Sequence, residues 1–435
     1  MEENWAWNLV DGQRVLPALL ADVASARSEI HISIFLFFND PIGHELERVL
    51  CERARAGVTV RVLINFAKTE MGDPFSTGEE QMMEEDPTFS QDAMDVDALG
   101  KRLKAAGVRV HDSNLDFDKD SGTQDPELIE QARLIRETSR MDVAHIDHRK
   151  LVTIDGRVAY LGSANFGAQY LFHEPFDPQV DAHAEAKRGR AEHHPEPWWK
   201  WHDGLVRFQG PVTLEIDRFF RRRWVLDCGD DYGPMQPISS DAEPRGVPVD
   251  RVQVFHNQPD STPNAVREAF LRCIAEAREE IFIENPYLYH PEIIAALLRA
   301  RREHPSMRVQ LIVPGKRWND NRYSQDAMQH HYRALIREGI EVFEYQHHFT
   351  HLKLAVFDGR CAIVGSANLN FRSLENDADF ELIARVEGRE FAQSLLREVR
   401  DKDLRTCAPI HGRRLGLRMR WRDPRTLLLV GRRLL

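Results

Sequence analysis

HRKLVTIDGRVAYLGSAN, residues 148–165, and HLKLAVFDGRCAIVGSAN, residues 351–368, carry one polar pattern twice. His148 corresponds to His351, Lys150 to Lys353, Asp155 to Asp358, Ser163 to Ser366 and Asn165 to Asn368, always 203 positions apart. Further on, Asp203 stands seven residues before Gly210 in DGLVRFQG, and Glu381 seven before Gly388 in ELIARVEG. Asp-Gly between two apolar runs is a two-residue hairpin signal. With Asp155-Gly156 and Asp358-Gly359 as the turns, Ile154 pairs with Arg157, and the count sets His148 opposite Ser163 and His351 opposite Ser366. Residues two apart share a strand face. His, Lys, Ser and Asn therefore gather at the open end of each hairpin, while Asp155 and Asp358 form the turns.

The duplication extends outward. ALLADVASARSEIHISIFLF (18–37) and AFLRCIAEAREEIFIENPYL (269–288) both read as helix then buried strand. The strands GVTVRVLINF (57–66) and MRVQLIVPG (307–315) correspond, as do the helix–glycine–strand units KRLKAAGVRV (101–110) and RALIREGIEV (333–342). Alternating helices and apolar strands predict an α/β sandwich with a largely buried sheet in each half. A period of about 200 residues is a domain duplication rather than a short solenoid repeat. The expected division is a first domain over 1–227, a linker over 228–250, a second domain over 251–403 and a basic tail over 404–435. Insertions are expected at 69–97, 112–141 and 168–200 of the first domain.

The chain's 435 residues, 42% hydrophobic and 29% charged, are enough for a soluble duplicated unit with substantial cores. A net charge of -11 argues against a general nucleic-acid binder. The five cysteines are scattered and never in CxxC spacing, as expected of reduced thiols in a cytosolic protein. No segment approaches the roughly 18 apolar residues of a membrane span. The opening MEENWAWNLVDGQ lacks the basic and apolar regions of a secretory signal.

The repeated polar set suits a phosphodiester. Lysine supplies a point charge for phosphate oxygens, and an asparagine amide adds a neutral donor. Imidazole serves as nucleophile or general acid, and a carboxylate such as Asp203 or Glu381 can fix its tautomer. Displacement at phosphorus wants one such group on each side of the reacting atom, which gives the duplication a purpose. Which carboxylate serves which histidine stays open at this level.

HxKxxxxDG followed by GSxN, present twice, resembles the phospholipase D superfamily, over about residues 8–403. Within it the chain looks most like bacterial cardiolipin synthases that lack amino-terminal membrane helices, through IENPYLYHPE, NLNFRSL (368–374) and WHDGLVRFQGPV (201–212). The resemblance implies two tandem α/β/α sandwich domains related by a pseudo-twofold axis, with the active site at their interface. It implies a phosphatidyl transferase that needs no cofactor and no metal. His148 would be the nucleophile and His351 the acid/base. Lys150, Lys353, Asn165 and Asn368 would hold phosphate oxygens, Asp203 and Glu381 would orient the imidazoles, and Ser163 and Ser366 would support them. Alternatives are a hydrolytic phospholipase D, a nuclease of the superfamily, and a lipid-binding protein without turnover.

Other features point elsewhere. Residues 69–97 hold ten acidic residues and no basic one, the composition of a solvated loop. Asp116, Asp118, Asp120 and Glu127 are spaced like a calcium loop, but Gly122 stands one place late, so an acidic surface loop is expected. His183, His193, His194 and His202 fit no standard metal spacing. Residues 404–435 carry nine arginines against one aspartate, beside Trp421 and Leu427–Val430. That composition suits an anchor to an anionic phospholipid surface, which places the protein at the cytoplasmic face of the membrane.

Overall fold

A computed structural model describes residues 3–66, 95–113, 146–173, 200–238, 243–258, 263–316, 318–346, 348–375 and 379–411. The first half folds as strand β1 (Asn4–Val10), α1 (Gly12–Ala24), β2 (Glu29–Ile34), α2 (Pro41–Arg55), β3 (Thr59–Ile64), α3 (Val96–Ala105), β4 (Arg109–Asp112), β5 (Leu151–Ile154), β6 (Val158–Gly162), β7 (Gly204–Gln209), α4 (Val212–Cys228) and β8 (Val247–Val249). The second runs through β9 (Arg251–Asn257), α5 (Ala265–Glu276), β10 (Glu280–Glu284), α6 (Pro291–Glu303), β11 (Arg308–Pro314), α7 (Arg322–Arg337), β12 (Glu341–Tyr345), β13 (Leu354–Phe357), β14 (Cys361–Gly365), α8 (Phe371–Leu374), β15 (Glu381–Glu387) and α9 (Arg389–Leu395). A π-helical turn (Leu396–Arg400), α10 (Asp401–Asp403) and β16 (Cys407–Pro409) follow.

Each half builds an eight-stranded mixed sheet, ordered β4-β3-β2-β5-β6-β7-β1-β8 and β16-β12-β11-β10-β13-β14-β15-β9. Seven strands match in order, so the duplication read from sequence is a duplication of topology. The eighth strands lie at opposite ends: β8 extends the β1 edge of one sheet and β16 the β12 edge of the other. Both fall in stretches read as connections, the 228–250 linker and the 404–435 tail. Three-residue strands leave too little alternation for sequence to separate them from loop.

Burial explains the layers. Strands β2 and β3 are largely buried on both faces because both are covered: Ile30, Ile32 and Ile34 of β2 pack with the helices, while His31 and Ser33 are buried on its other face. On the outer face of the first sheet α1, α2 and α3 pack through Val15, Leu16, Leu19, Leu46, Leu50, Leu99 and Leu103. Helix α2 starts cleanly: Asp40 accepts from Gly43 N at 2.8 Å and Pro41 occupies the first turn. Helices α5, α6 and α7 cover the second sheet in the same way. The inner faces of both sheets share one core, in which Phe208, Leu161 and Leu151 of the first and Phe282, Val356 and Leu382 of the second pack with Phe220 and Trp224 of α4 and Phe391 and Leu395 of α9. The halves are thus fused through a common hydrophobic layer.

The hairpins differ from expectation by one residue. Arg157 N bonds to Ile154 O as a two-residue turn requires, and Asp155 and Asp358 take positive φ (54° and 50°), as do Gly156 and Gly359 (60° and 56°). Yet the ladder sets Ile154 against Val158 and Phe357 against Cys361, with Arg157 and Arg360 bulged out. The turn is tied down from outside. The Asp155 carboxylate accepts from the backbone N of Arg27, Ser28 and Glu29 at 2.8, 2.8 and 2.9 Å. Asp358 does the same with Arg278, Glu279 and Glu280.

The acidic stretch 69–97 lies outside the described residues up to 94; Asp95 already caps α3 by accepting from Ala98 N at 2.8 Å. The spaced carboxylates at 116–127 and the histidines at 183, 193 and 194 also lie outside the described residues. The insertion read as starting at 168 opens with core instead: Tyr170 and Leu171 are buried before the described chain ends at His173. Among the described residues no helix is long and apolar enough to cross a membrane.

Candidate functional site

The two hairpins meet through their open ends. Asp147 bridges Phe380, and Thr350 bridges His202, each as an isolated parallel pair across the halves. In the first bridge His148 N donates to Phe380 O (3.0 Å) and Phe380 N to Ile146 O (2.9 Å). In the second His351 N donates to His202 O (2.8 Å) and His202 N to Phe349 O (3.0 Å). Each HxK strand is thereby stitched to the residue preceding the other half's carboxylate.

That stitching decides the pairing which sequence left open. His148 Nδ1 donates to Glu381 Oε1 at 2.9 Å, and His351 Nδ1 donates to Asp203 Oδ2 at 2.7 Å. Both braces cross between halves. Ser163 Oγ donates to the second oxygen of Asp203, and Ser366 Oγ to that of Glu381, so each carboxylate is held from its own half. The glycine of GSxN makes this approach possible: a Cβ on Gly162 would stand 2.5 Å from Gly204 O. Ser373, from the NLNFRSL segment, adds a bond to Glu381 Oε1 at 2.6 Å. Sequence carries no repeated signal for it, since the position 203 residues earlier is Tyr170.

His148 and His351 are only 8% and 5% exposed, each with Nδ1 committed to a carboxylate. Lys353 Nζ donates to His351 Nε2 at 2.8 Å, whereas Lys150 Nζ turns back to His148 O at 2.7 Å. Asn165 Oδ1 accepts from Leu36 N at 3.2 Å, just past the end of β2. Asn368 Oδ1 is buried with no hydrogen-bond partner among the described residues.

The surroundings of the histidines differ. His351 is walled by Trp201 (ring centroids 5.1 Å), Tyr170 (5.8 Å) and Phe349 (5.8 Å). His148 meets Phe35 edge-on at 5.0 Å. Tyr170 lies in the stretch whose sequence reads as an insertion. Trp201 had a signal, its place two residues before Asp203.

The two motifs also act on each other electrostatically. Burial, then the Lys150 and Lys353 charges, holds His148 well below the usual imidazole range. Burial and Lys353, against the attraction of Asp203, bring His351 down to about 3. Burial and the opposite lysine lower Lys150 to about 7, and burial lowers Lys353 to about 8. Burial lifts Glu381 to about 7 against Lys150; Asp203, although equally buried, stays below the carboxylate norm because His351 and Lys353 face it. Two imidazoles and two lysines thus converge where the halves meet, a donor set suited to a phosphate diester. An anion between the lysines would raise both their proton affinities.

Asp155 and Asp358 are not brought to this cleft; their carboxylates serve backbone amides at the far end of each hairpin.

Comparison with known proteins agrees. A family described as "Cardiolipin synthase, PLD-like domain" matches residues 19–175 and 270–402. The chain belongs to this family. Among the family's curated relatives, the "Probable cardiolipin synthase YwiE" of Bacillus subtilis is 25% identical over 373 residues, 84% of this chain and 60% of that protein. A "Cardiolipin synthase" of Listeria innocua is 25% identical over 404 residues, 91% of this chain and 68% of that one. The chain thus spans about three fifths to two thirds of the length of these relatives. The phosphatidylserine synthase structure from Haemophilus influenzae superposes with a TM-score of 0.62 at 14% identity, covering 99% of this chain and 95% of that one. The same PLD-like fold is therefore present over nearly the full chain.

Proposed function

We propose that the chain is a phosphatidyl transferase of cardiolipin-synthase type, joining a phosphatidyl group from one phosphatidylglycerol to a hydroxyl of another. The observation that carries this reading is the pair of cross-braced imidazoles facing one lysine-lined cleft, in a chain whose curated relatives are cardiolipin synthases.

His148 Nε2 attacks phosphorus, since no lysine occupies it, and the Nδ1–Glu381 bond stabilises the cation formed on the ring. As the N–P bond forms, the P–O bond to the glycerol headgroup breaks. His351 delivers the proton that glycerol takes away, with Lys353 the adjoining proton source. In the second step the acceptor hydroxyl gives its proton to His351, its oxygen bonds to phosphorus, and the N–P bond breaks. Lys150, Lys353, Asn165 and Asn368 hold the equatorial oxygens. The aromatic wall at His351 excludes water from the side where the acceptor arrives, which favours transfer over hydrolysis. At the finer level, the arginine-rich tail anchors the protein to anionic lipid at the cytoplasmic membrane face; deletion of residues 410–435 weakens co-sedimentation with anionic vesicles at low salt, and unchanged sedimentation removes that part.

The test is the lipid product profile. Labelled phosphatidylglycerol incubated with purified protein yields cardiolipin and free glycerol. Phosphatidic acid as the main product replaces this reading with hydrolysis, and no product at all leaves lipid binding alone.

A further inference from the structure

Behind the His351–Asp203 pair lies a second buried cluster that the proposed reaction does not use. We propose that His202, Glu284 and Asp403 form a structural site for one divalent transition-metal ion, of the Zn²⁺ or Mn²⁺ class, at the junction of the two halves.

The three residues come from the β6–β7 connection, the end of β10 and α10, so no sequence spacing links them. They are 3%, 0% and 5% exposed, and their candidate ligand atoms all lie within 4.8 Å of one another. One imidazole and two carboxylates form a mixed nitrogen–oxygen donor set for such ions.

Three details favour a cation. Asp11 accepts from the far ring nitrogen, Nδ1, of His202 at 2.7 Å. A carboxylate on the other nitrogen is the arrangement that orients metal-binding histidines. The ring plane is fixed by Tyr345, stacked at 5.2 Å and 4°. Glu284 Oε1 accepts from Thr350 Oγ1 at 2.5 Å, but its Oε2, fully buried, has no hydrogen-bond partner among the described residues. Glu284 and Asp403 face each other, and two buried carboxyl groups so placed are held by a shared proton or by a cation.

His202 Nε2 donates to Asp403 Oδ2 at 3.0 Å, so a protonated ring answers one of the two acids. An ion binding there would take the Nε2 lone pair, release that proton to solvent, and reach Glu284 as well. Its effect is bracing. His202 O receives the His351 amide and Asp203 O receives the Asp11 amide at 2.7 Å, so the cluster holds the main chain on which the active imidazole stands.

The experiment uses the full chain, unfolded in urea with chelator and refolded with Zn²⁺ or Mn²⁺, or with chelator alone. A variant lacking His183, His193 and His194 removes adventitious binding by those histidines. The expected result is about one equivalent of metal retained after gel filtration, a higher melting temperature than the chelator-refolded protein, and at least one proton released per ion bound. Glu284→Gln, which keeps the acceptor for Thr350, lowers retention at least about tenfold. Co²⁺ reports the nitrogen–oxygen coordination by its visible bands without any ligand variant. No retained metal and identical melting temperatures for wild-type protein under both conditions overturn the proposal and leave the His202 imidazolium as the whole of the brace. Because retention and melting are read without lipid, this outcome is independent of the proposed reaction.

Discussion

Glu381, in the second half, accepts the Nδ1 proton of His148, in the first, at 2.9 Å. The reciprocal bond from His351 to Asp203 completes a site in which neither half holds its own histidine. Replacing one carboxylate therefore removes the orienting group of the opposite motif. Asp203→Asn or Glu381→Gln is expected to lower kcat by about 10²–10⁴. Combining Glu381→Gln with a substitution of His148 adds little beyond the single His148 change, since the two act as a unit. Steady-state kinetics of the two singles and the double check this; fully additive losses contradict the brace.

The pH profile follows from the buried charges. Lys150 and Lys353, lowered by burial to about 7 and about 8, must be protonated to receive phosphate. As pH rises through these values, the free enzyme loses its cations and kcat/KM falls. On the acid side Glu381, lifted by burial to about 7, takes a proton as pH drops and no longer stabilises a charged His148. The expected kcat/KM profile is a narrow bell near neutrality. A bound phosphodiester raises both lysines, so the alkaline limb of kcat lies at higher pH than that of kcat/KM. A flat kcat/KM from about pH 6 to 9 contradicts these assignments.

Asp155 and Asp358 act on the fold. Each holds a left-handed backbone position and accepts three backbone amides. Alanine forfeits those bonds and tolerates the positive φ poorly, at a cost of roughly 3 kcal/mol per site. Denaturant melts should show this loss, while activity per folded molecule at low temperature stays within about twofold of wild type. A stable but inactive Asp155→Ala would return this residue to the catalytic set.

Trp201 is the largest ring on the His351 side. Trp201→Ala opens that wall to solvent, so the ratio of phosphatidic acid to cardiolipin should rise several-fold while the intermediate still forms. An unchanged ratio means that water is excluded elsewhere.

Much of the fold was legible because the duplication made each half the control for the other: helix, strand and hairpin positions recur in both. The polar set was legible for the same reason. The crossing of the carboxylates was not, since sequence spacing says nothing about which open hairpin end faces which. The one-residue bulge at Arg157 and Arg360 was hidden because the turn residues are those of an unbulged hairpin. Tyr170, Ser373 and His202 lack a repeated partner of like chemistry, and their roles arise only where the halves touch. Strands β8 and β16 are three residues long and owe their existence to the edges they join.

The single measurement that bears most directly on a shared site is the residual phosphatidyl transfer of His148→Ala and His351→Ala, assayed separately on folded full-length protein. One site built from both halves predicts that each variant falls below about 1% of wild type and that mixing the two restores nothing. If each variant instead keeps about half of the activity, the halves work as independent sites and the cross-braced cleft is not where the reaction occurs.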